Sequence, residues 1–343
     1  MKRLLNTLFV TTEDAYLTLD GDNVVVMRGE DRIGRFPLHN LEAIYYFGYK
    51  GASPRFMGAC AERGIDLSFF SPHGKFLAKV CGETRGNVLL RREQYRIADD
   101  TERSCDVARN FIIGKVFNSR WVIERARRDH PLRVDMDSLA AASAELASYA
   151  VKAREALSLE ELRGAEGAAA RCYFGVFNQL VLVEEEAFAF SGRSKRPPRD
   201  PINALLSFGY SIQASSCASA LEGVGLDPYC GFMHQERAGR KSLALDLVEE
   251  FRSVFVDRLV LSCINNRMLS ANHFETGSDG GVRLTDKGRG VFFAAWQKKK
   301  KEELRHPFLN EKLPWGLLPH VQALLLARYI RGDLDGYPPF MWK

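Results

Sequence analysis

The spacing of apolar residues changes from strand-like to helix-like near residue 91 of this 343-residue chain. Residues 4 to about 80 contain six or seven short apolar and β-branched runs, separated by turn signals such as Asp20-Gly21-Asp22-Asn23. Short strands with such turns are typical of a small β-sandwich. Beyond residue 100 the apolar residues recur every three or four positions over long stretches, which predicts helices.

The chain is therefore predicted to be an α+β protein with more than one domain. A small β-sandwich is expected over residues 1–90, a linker over residues 91–100 and an all-helical domain over residues 101–343. Helices are predicted over residues 101–128, 137–157, 158 to about 183, 201–221 and 242–269. The third of these helices is expected to start with a capping box formed by Ser158 and Glu161.

Composition excludes several classes of protein. With 46% hydrophobic and 27% charged residues, the chain is not expected to be disordered. Its seven cysteines are scattered without a Cys-x-x-Cys pair, so neither a disulfide framework nor a cysteine zinc site is expected. No apolar run approaches the roughly 20 residues of a membrane span. We expect a soluble cytoplasmic protein, and its net charge of +5 permits a nucleic-acid partner.

The stretch 231–252, GFMHQERAGRKSLALDLVEEFR, combines residue types that phosphate chemistry uses. His234 precedes a basic turn, and the helix predicted after it carries Asp246 and Glu249, whose spacing of three puts both carboxylates on one helical face. Imidazole and carboxylate groups together can bind a divalent cation that acts on phosphate. The turn itself would suit a polyanion through Arg237, Arg240 and Lys241.

A further acid, Glu166, lies among glycine and alanine residues that would let a ligand approach closely. Plainer interpretations remain open: an exposed helix acid for Glu166, an ordinary hydrogen-bonded histidine for His234, and a solvated stripe for the acids of the later helix. Together, Glu166, His234 and one or both of Asp246 and Glu249 make a mixed oxygen and nitrogen ligand set with open positions. Such a set favours Mg²⁺ or Mn²⁺ and argues against structural zinc.

The segment 191–201, SGRSKRPPRDP, is rich in glycine, proline and arginine and is predicted to be an exposed loop. It is either a contact for phosphate, which would make binding strongly salt-dependent, or simply a solvated loop. Its basic residues are Arg193, Lys195, Arg196 and Arg199. Walker, Rossmann, HExxH and Gly-x-Ser-x-Gly patterns are absent from the sequence.

At these residues the sequence resembles the CRISPR-associated integrase family, known as CRISPR-associated protein one, the catalytic subunit of spacer acquisition. The resemblance runs in order through EGAAARCYF around Glu166, PINALLSFGYS at 201–211 and GLDPYCGFMHQERAGRKSLALDLVEEFR at 225–252. It covers nearly the whole chain, including a strand-rich N-terminal half. Its details are similar to those of the subtype I-C branch.

The resemblance implies a homodimer with a β-sandwich N-terminal domain, which would carry contacts between proteins, and an all-helical catalytic domain. It assigns metal binding to Glu166, His234 and Glu249, and makes Asp246 an auxiliary ligand or a group behind the ligands. The implied cation is Mg²⁺ or Mn²⁺. The implied partners are DNA and a small ferredoxin-like protein, CRISPR-associated protein two. The expected DNA contacts are Arg193, Lys195, Arg196, Arg240 and Lys241.

The implied function is a metal-dependent DNA integrase and endonuclease. The 3′-hydroxyl of incoming DNA would attack a phosphodiester at the boundary of a CRISPR repeat, and water in place of that hydroxyl would give hydrolysis. Two alternatives remain. One is a DNA-binding scaffold whose acids only form salt bridges with the basic turn. The other is an unrelated metal-dependent nuclease acting on RNA or general DNA.

Overall fold

The computed structural model describes residues 7–12, 14–72, 76–82 and 88–343. Its N-terminal part is rich in strands and its C-terminal part is mainly helical, which confirms the predicted α+β character. The first observed strand, β1, covers Thr7–Val10. The start of the predicted first strand, at residues 4–6, lies outside the described residues.

Two sheets are found in the described N-terminal residues. In the mixed sheet β1 pairs in parallel with β5 (Ala43–Phe47), β5 pairs in parallel with β6 (Asp66–Phe70), and β7 (Phe76–Lys79) lies antiparallel to β6. The second sheet is an antiparallel meander of β2 (Ala15–Asp20), β3 (Asn23–Arg28) and β4 (Asp31–Pro37). Gly21, at a φ of +58°, makes the predicted turn between β2 and β3.

The mixed sheet is covered on both faces, as is usual for parallel strands. Along β5, Ile44 and Tyr46 belong to a core shared with the meander sheet and with helix α1 (Pro54–Glu62). The intervening Tyr45 and Phe47 belong to the core of the helical part, where the rings of Phe47 and Phe293 lie 4.6 Å apart. The strand-rich and helical parts therefore share this sheet through its two faces.

Helix α3 (Thr101–Asp129) lies at the centre of the helical part and packs against α4, α5 and the segment that follows α7. The carboxylate of Asp100 caps it by accepting hydrogen bonds from the amides of Glu102 and Arg103. The remaining helices are α2 (Val88–Asp99), α4 (Met136–Glu155), α5 (Leu159–Gly175), α6 (Pro201–Gly223), α7 (Ser242–Val248), α8 (Arg258–Asn265), α9 (Asp286–Lys301) and α10 (Leu318–Ile330).

The predicted linker, residues 91–100, is not a free connection. Residues 91–99 belong to α2, whose Leu90 and Ile97 are buried in the helical core. Gln94 has no exposed surface, and its side-chain amide donates hydrogen bonds to the carbonyl oxygens of Asp227 and Cys230. The segment is therefore packed against the loop that precedes α7.

The C-terminal part is mainly rather than entirely helical, so the prediction of an all-helical domain is corrected. It contains two short antiparallel hairpins. One is formed by β8 (Phe274–Thr276) and β9 (Val282–Leu284), and the other by β10 (Glu303–Arg305) and β11 (Lys312–Pro314). Three-residue strands carry too little periodicity to be recognised from sequence.

The predicted capping box of α5 forms only in part. The hydroxyl of Ser158 accepts from the amide of Glu161, but the Glu161 carboxylate accepts from the amide of Leu157 and not from that of Ser158.

Two predicted helices end earlier than expected. Helix α5 stops at Gly175 and is followed by a 3₁₀ turn, Phe177–Leu180, instead of reaching residue 183. The helix predicted over 242–269 is broken after α7 and resumes as a π-helical segment, Arg252–Asp257, that leads into α8.

Candidate catalytic pocket

A cavity of about 880 Å³ opens between α3, α5, the loop before α6 and the segment that follows α7. Glu166, His234 and Glu249, the three predicted metal ligands, all line it. Cationic side chains outnumber carboxylates on its wall, as suits a polyanionic ligand. The cations are Lys115, Arg163, Arg171, Arg193, Lys195, Arg240 and Arg252, and the carboxylates are Glu166, Glu249 and Asp257.

The carboxylates of Glu166 and Glu249 meet at one positive charge. Lys115 of α3 donates a hydrogen bond to Oε1 of Glu166, and its Nζ lies 2.7 Å from Oε2 of Glu249. Arg252 pairs with the other oxygen of Glu249, with Nη2 3.0 Å from Oε1. Burial would raise the pKa of Glu249, but Arg252 and Lys115 outweigh it and lower that pKa to about 2. The two cations therefore favour the ionised form of Glu249.

The residues fit a divalent cation in donor chemistry. Two carboxylates from different elements converge on one cationic group, and His234 adds an imidazole to the same cavity. Within the described part of the chain, however, no three His, Cys, Asp or Glu side chains are grouped closely enough to hold a metal ion. The position between Glu166 and Glu249 is taken by the Lys115 ammonium.

Asp246 holds the loop that carries His234. It has no exposed surface, and its Oδ2 accepts hydrogen bonds from the amides of Phe232 and Met233 at 2.7 and 3.0 Å. Its Oδ1 accepts from the amide of His234 at 3.0 Å and lies 2.6 Å from Nδ1 of the same residue. A carboxylate accepts only, so Nδ1 of His234 carries the proton of this hydrogen bond, and in the neutral tautomer that fits it Nε2 is the nitrogen without one.

The two acids of the later helix have different roles. Glu249, the residue after α7, lines the cavity, while Asp246 accepts hydrogen bonds from the loop 231–234. Asp246 is therefore a positioning group. Gly231 permits the close approach, because a Cβ there would lie 2.7 Å from the Cβ of Ser242 and 3.0 Å from Oδ2 of Asp246.

The π-helical segment forms the back of the cavity. It places the guanidinium of Arg252 4.6 Å from the ring centre of Tyr210. At its C-terminal end Asp257 accepts hydrogen bonds from the hydroxyls of Tyr210 at 2.5 Å and Tyr173 at 3.1 Å. Burial raises the pKa of Asp257 to about 6. Single π turns within helices are frequent at functional sites, where they redirect side chains.

The five predicted DNA contacts divide into two groups. Arg193, Lys195 and Arg240 line the cavity, whereas Arg196 and Lys241 do not. Arg193 is fixed there by hydrogen bonds to Oδ1 of Asn203 at 2.6 Å and to the hydroxyl of Ser207 at 3.0 Å.

Lys241 faces another part of the molecule. Its Nζ lies 5.9 Å from the ring centre of Tyr229. Burial lowers the pKa of Lys241, and the nearby Lys79 of β7 lowers it further. This places Lys241 near the strand-rich part, so only Arg240 of the predicted pair contributes to the cavity.

Comparison with known proteins identifies the family. The family model for CRISPR associated protein Cas1 matches residues 8–298, most of the chain. The chain is 47% identical over 343 residues to CRISPR-associated endonuclease Cas1 1 of Chlorobaculum tepidum, covering 100% of both proteins. The chain belongs to the Cas1 family. It is also 49% identical over 347 residues to CRISPR-associated endonuclease Cas1 2 of Rhodospirillum rubrum, again covering 100% of both.

A solved structure supports the Cas1 assignment at the level of the fold. A CAS1 protein from Thermotoga maritima superposes with a TM-score of 0.81 at 25% identity, covering 96% of this chain and 98% of that one. The family predicted from the sequence is therefore confirmed. In the described residues of this Cas1 family member, no helix has the length and apolar character that crossing a membrane requires.

Sequence reasoning missed several residues of this Cas1 pocket. Lys115 and Asp257 gave no signal, because each lies in a helix of ordinary amphipathic pattern. Arg252 ends the stretch that contains His234, and its position three residues after Glu249 could have suggested an ion pair. Tyr173 and Tyr210 lie within two of the three motifs that carried the resemblance but had no assigned role.

Proposed function

We propose that this protein is a divalent-cation-dependent DNA integrase and endonuclease of CRISPR spacer acquisition. It would join the 3′-hydroxyl ends of incoming DNA fragments to the CRISPR repeat. The proposal rests mainly on one observation, the convergence of Glu166 and Glu249 on a single positive charge in a cavity with a cationic wall. The endonuclease names of the Chlorobaculum and Rhodospirillum relatives support the same class of chemistry.

Glu166, His234 and Glu249 are the residues that would hold Mg²⁺ or Mn²⁺ in this mechanism. When bound, the cation supplies Lewis-acid stabilisation of the charge that develops on the scissile phosphate. The protein's own contribution is to bind and orient the DNA. Lys195 and Arg240 offer positive charge to the phosphate backbone, and Arg252 keeps Glu249 ionised at the edge of the cavity.

Asp246 and His234 would manage the proton of the attacking hydroxyl. Because Asp246 fixes the Nδ1 proton, Nε2 of His234 is left as a base or as a cation ligand within the cavity. A 3′-hydroxyl as nucleophile gives strand joining, and water gives cleavage. The same arrangement of residues therefore accounts for an integrase and an endonuclease.

A strand-joining assay tests the proposal. A labelled DNA fragment with 3′-hydroxyl ends is incubated with a plasmid carrying a CRISPR repeat, Mg²⁺ and the small partner protein. The expected product is label covalently joined to the plasmid. No joined product should form from fragments with 3′-deoxy ends, and Glu166→Gln should lower the yield of joined product at least 100-fold. Glu160→Gln, an exposed acid on the same helix, is the matched control and should retain activity. Shortened strands without joining would indicate a plain nuclease.

A second candidate is a DNA-binding scaffold without catalysis. One observation favours it: both carboxylates are neutralised by side chains, although by Lys115 and Arg252 and not by the predicted basic turn. In that case Glu166→Gln would leave every DNA-dependent property unchanged. The joining assay separates the two, because a scaffold yields no product with any divalent cation.

We also propose a homodimer, a small ferredoxin-like partner equivalent to CRISPR-associated protein two, a cytoplasmic location and membership of subtype I-C. The N-terminal unit, with two sheets around one core, would supply contacts between proteins. Its edge strand β4 exposes Ile33 and Phe36, with 46% and 39% of their surfaces accessible. Light scattering on the wild type and on Ile33→Glu tests the dimer. If the wild type is a dimer and the variant has the same molar mass, the β4 edge is excluded as the dimer interface.

A further inference from the structure

Lys115 is the group that keeps two carboxylates together in the cavity. It comes from α3, whereas Glu166 comes from α5 and Glu249 from the turn after α7. Only 13% of the Lys115 side chain is exposed, against 27% for Glu166 and 5% for Glu249. One ammonium thus links three separate elements at a largely buried position.

The ammonium and a divalent cation would need the same oxygens. Two like charges at a buried position repel, so the pair needs a positive group between them. Lys115 supplies that group here, and a cation held by Glu166 and Glu249 would supply it equally well. Both cannot occupy the space between the same two carboxylates, so one must displace the other.

The ion pair between Lys115 and Glu249 can be broken without releasing Glu249. Oε2 of Glu249 is buried and lies 2.7 Å from Nζ of Lys115, yet it lacks a well-aligned hydrogen bond. The other oxygen, Oε1, is held by Arg252 at 3.0 Å. Arg252 can therefore keep Glu249 in place while Oε2 changes its partner.

We propose that Lys115 is a displaceable counter-ion, which holds Glu166 and Glu249 together in the cation-free protein and yields their oxygens to an entering divalent cation. The inference rests on the proposed function for the identity of the cation ligands. It adds a competitor to that site: cation affinity is set by the Lys115 ion pairs as well as by the ligands.

The first test measures Mn²⁺ binding to the full-length protein without DNA, using the electron paramagnetic resonance signal of free Mn²⁺. Lys115→Met removes the charge at similar length and should tighten Mn²⁺ binding at least tenfold. Lys115→Arg keeps the charge and should not tighten it. Lys298→Met, an exposed lysine of α9, is the matched control and should match the wild type. Equal or weaker binding by Lys115→Met would overturn the proposal.

A second measurement needs no substitution at Lys115. Amine labelling with mass spectrometry reports how accessible each lysine is in the wild-type protein. Labelling of Lys115 should rise several-fold when Mn²⁺ is added, and Glu166→Gln should abolish the Mn²⁺-dependent rise. Unchanged labelling of Lys115 at saturating Mn²⁺ would overturn the proposal even if Lys115→Met failed to fold.

The two proposals fail in different ways. If Mn²⁺ displaces Lys115 but no strand joining occurs, the counter-ion proposal stands and the integrase proposal fails. If strand joining occurs with Mn²⁺ while Lys115 labelling is unchanged, the integrase proposal stands and the counter-ion proposal fails. If no variant binds Mn²⁺ at millimolar concentration, both fail.

Discussion

Nδ1 of His234 lies 2.6 Å from Oδ1 of Asp246, a carboxylate with no exposed surface. The same carboxylate also accepts the amides of Phe232, Met233 and His234. Asp246 therefore fixes both the backbone that carries His234 and the tautomer of its ring. Such a partner behind a catalytic or metal-binding histidine affects chemistry without touching the substrate.

Asp246→Asn should lower the rate of strand joining by about 10- to 100-fold, the range found when the partner of a ligand histidine is lost. An asparagine cannot accept from all four of these N–H groups, so the Nδ1 proton is no longer fixed. The measurement is the joining rate at saturating Mg²⁺, with the ¹⁵N chemical shifts of His234 reporting its tautomer. A slower rate with an unchanged tautomer would mean that Asp246 acts only through the backbone of the loop.

Chelating the divalent cation with EDTA should stop strand joining without unfolding the protein. Glu166 and Glu249 have Lys115 and Arg252 as counter-ions, so the fold does not depend on a bound metal. We expect the melting temperature to change by less than about 3 °C, the shift that about 1 kcal/mol produces in a large domain. A large fall in scanning calorimetry would indicate a structural metal instead.

Lys195→Gln should flatten the salt dependence of DNA binding. Lys195 lines the cavity, and the loss of one phosphate contact lowers the slope of log affinity against log salt by about 0.7 to 0.9. Arg196→Gln is the matched control, because Arg196 is exposed on the same loop but lies outside the cavity. Fluorescence anisotropy at several salt concentrations measures both. A slope for Lys195→Gln equal to that of the wild type would remove Lys195 from the interface.

Local signals in the sequence predicted much of this architecture. The strand-to-helix change, the α3 and α6 helices and the Ser158 cap follow from periodicity and capping chemistry, which act over a few residues. The convergence of Glu166, His234 and Glu249 on one cavity was also predicted. That prediction came from an ordered family resemblance, because spacing along a chain does not show proximity in space.

The break after α7 could not be predicted, because it depends on distant residues. The sequence EEFRSVFVD, at 249–257, has an apolar spacing compatible with an uninterrupted helix. In the structure, buried Glu250 accepts hydrogen bonds from the hydroxyl of Tyr337, the amide of Phe340 and the side chain of Gln322. These three residues lie 72 to 90 positions further along the chain. Lys115, 51 residues from Glu166, was missed for the same reason.

Asp257 should make the protein less stable as the pH rises from about 4 to about 6. Burial raises its pKa from 3.8 to about 6 in the folded protein, against opposing effects of Tyr210, Tyr173 and Arg252. Between these values the unfolded chain has lost the proton and the folded chain retains it. The free energy of unfolding therefore falls with rising pH across this window and levels off above it.

Asp257→Asn removes this titration and keeps a group that can accept from Tyr210. A shift of about two pKa units corresponds to about 3 kcal/mol, so the wild type should lose up to that much relative to the variant between pH 4 and pH 7. Urea unfolding at four pH values in this range measures the difference. Asp335→Asn, at an exposed position, is the control and should follow the wild-type curve. Parallel curves for the wild type and Asp257→Asn would mean that Asp257 is already ionised in the folded protein near pH 4.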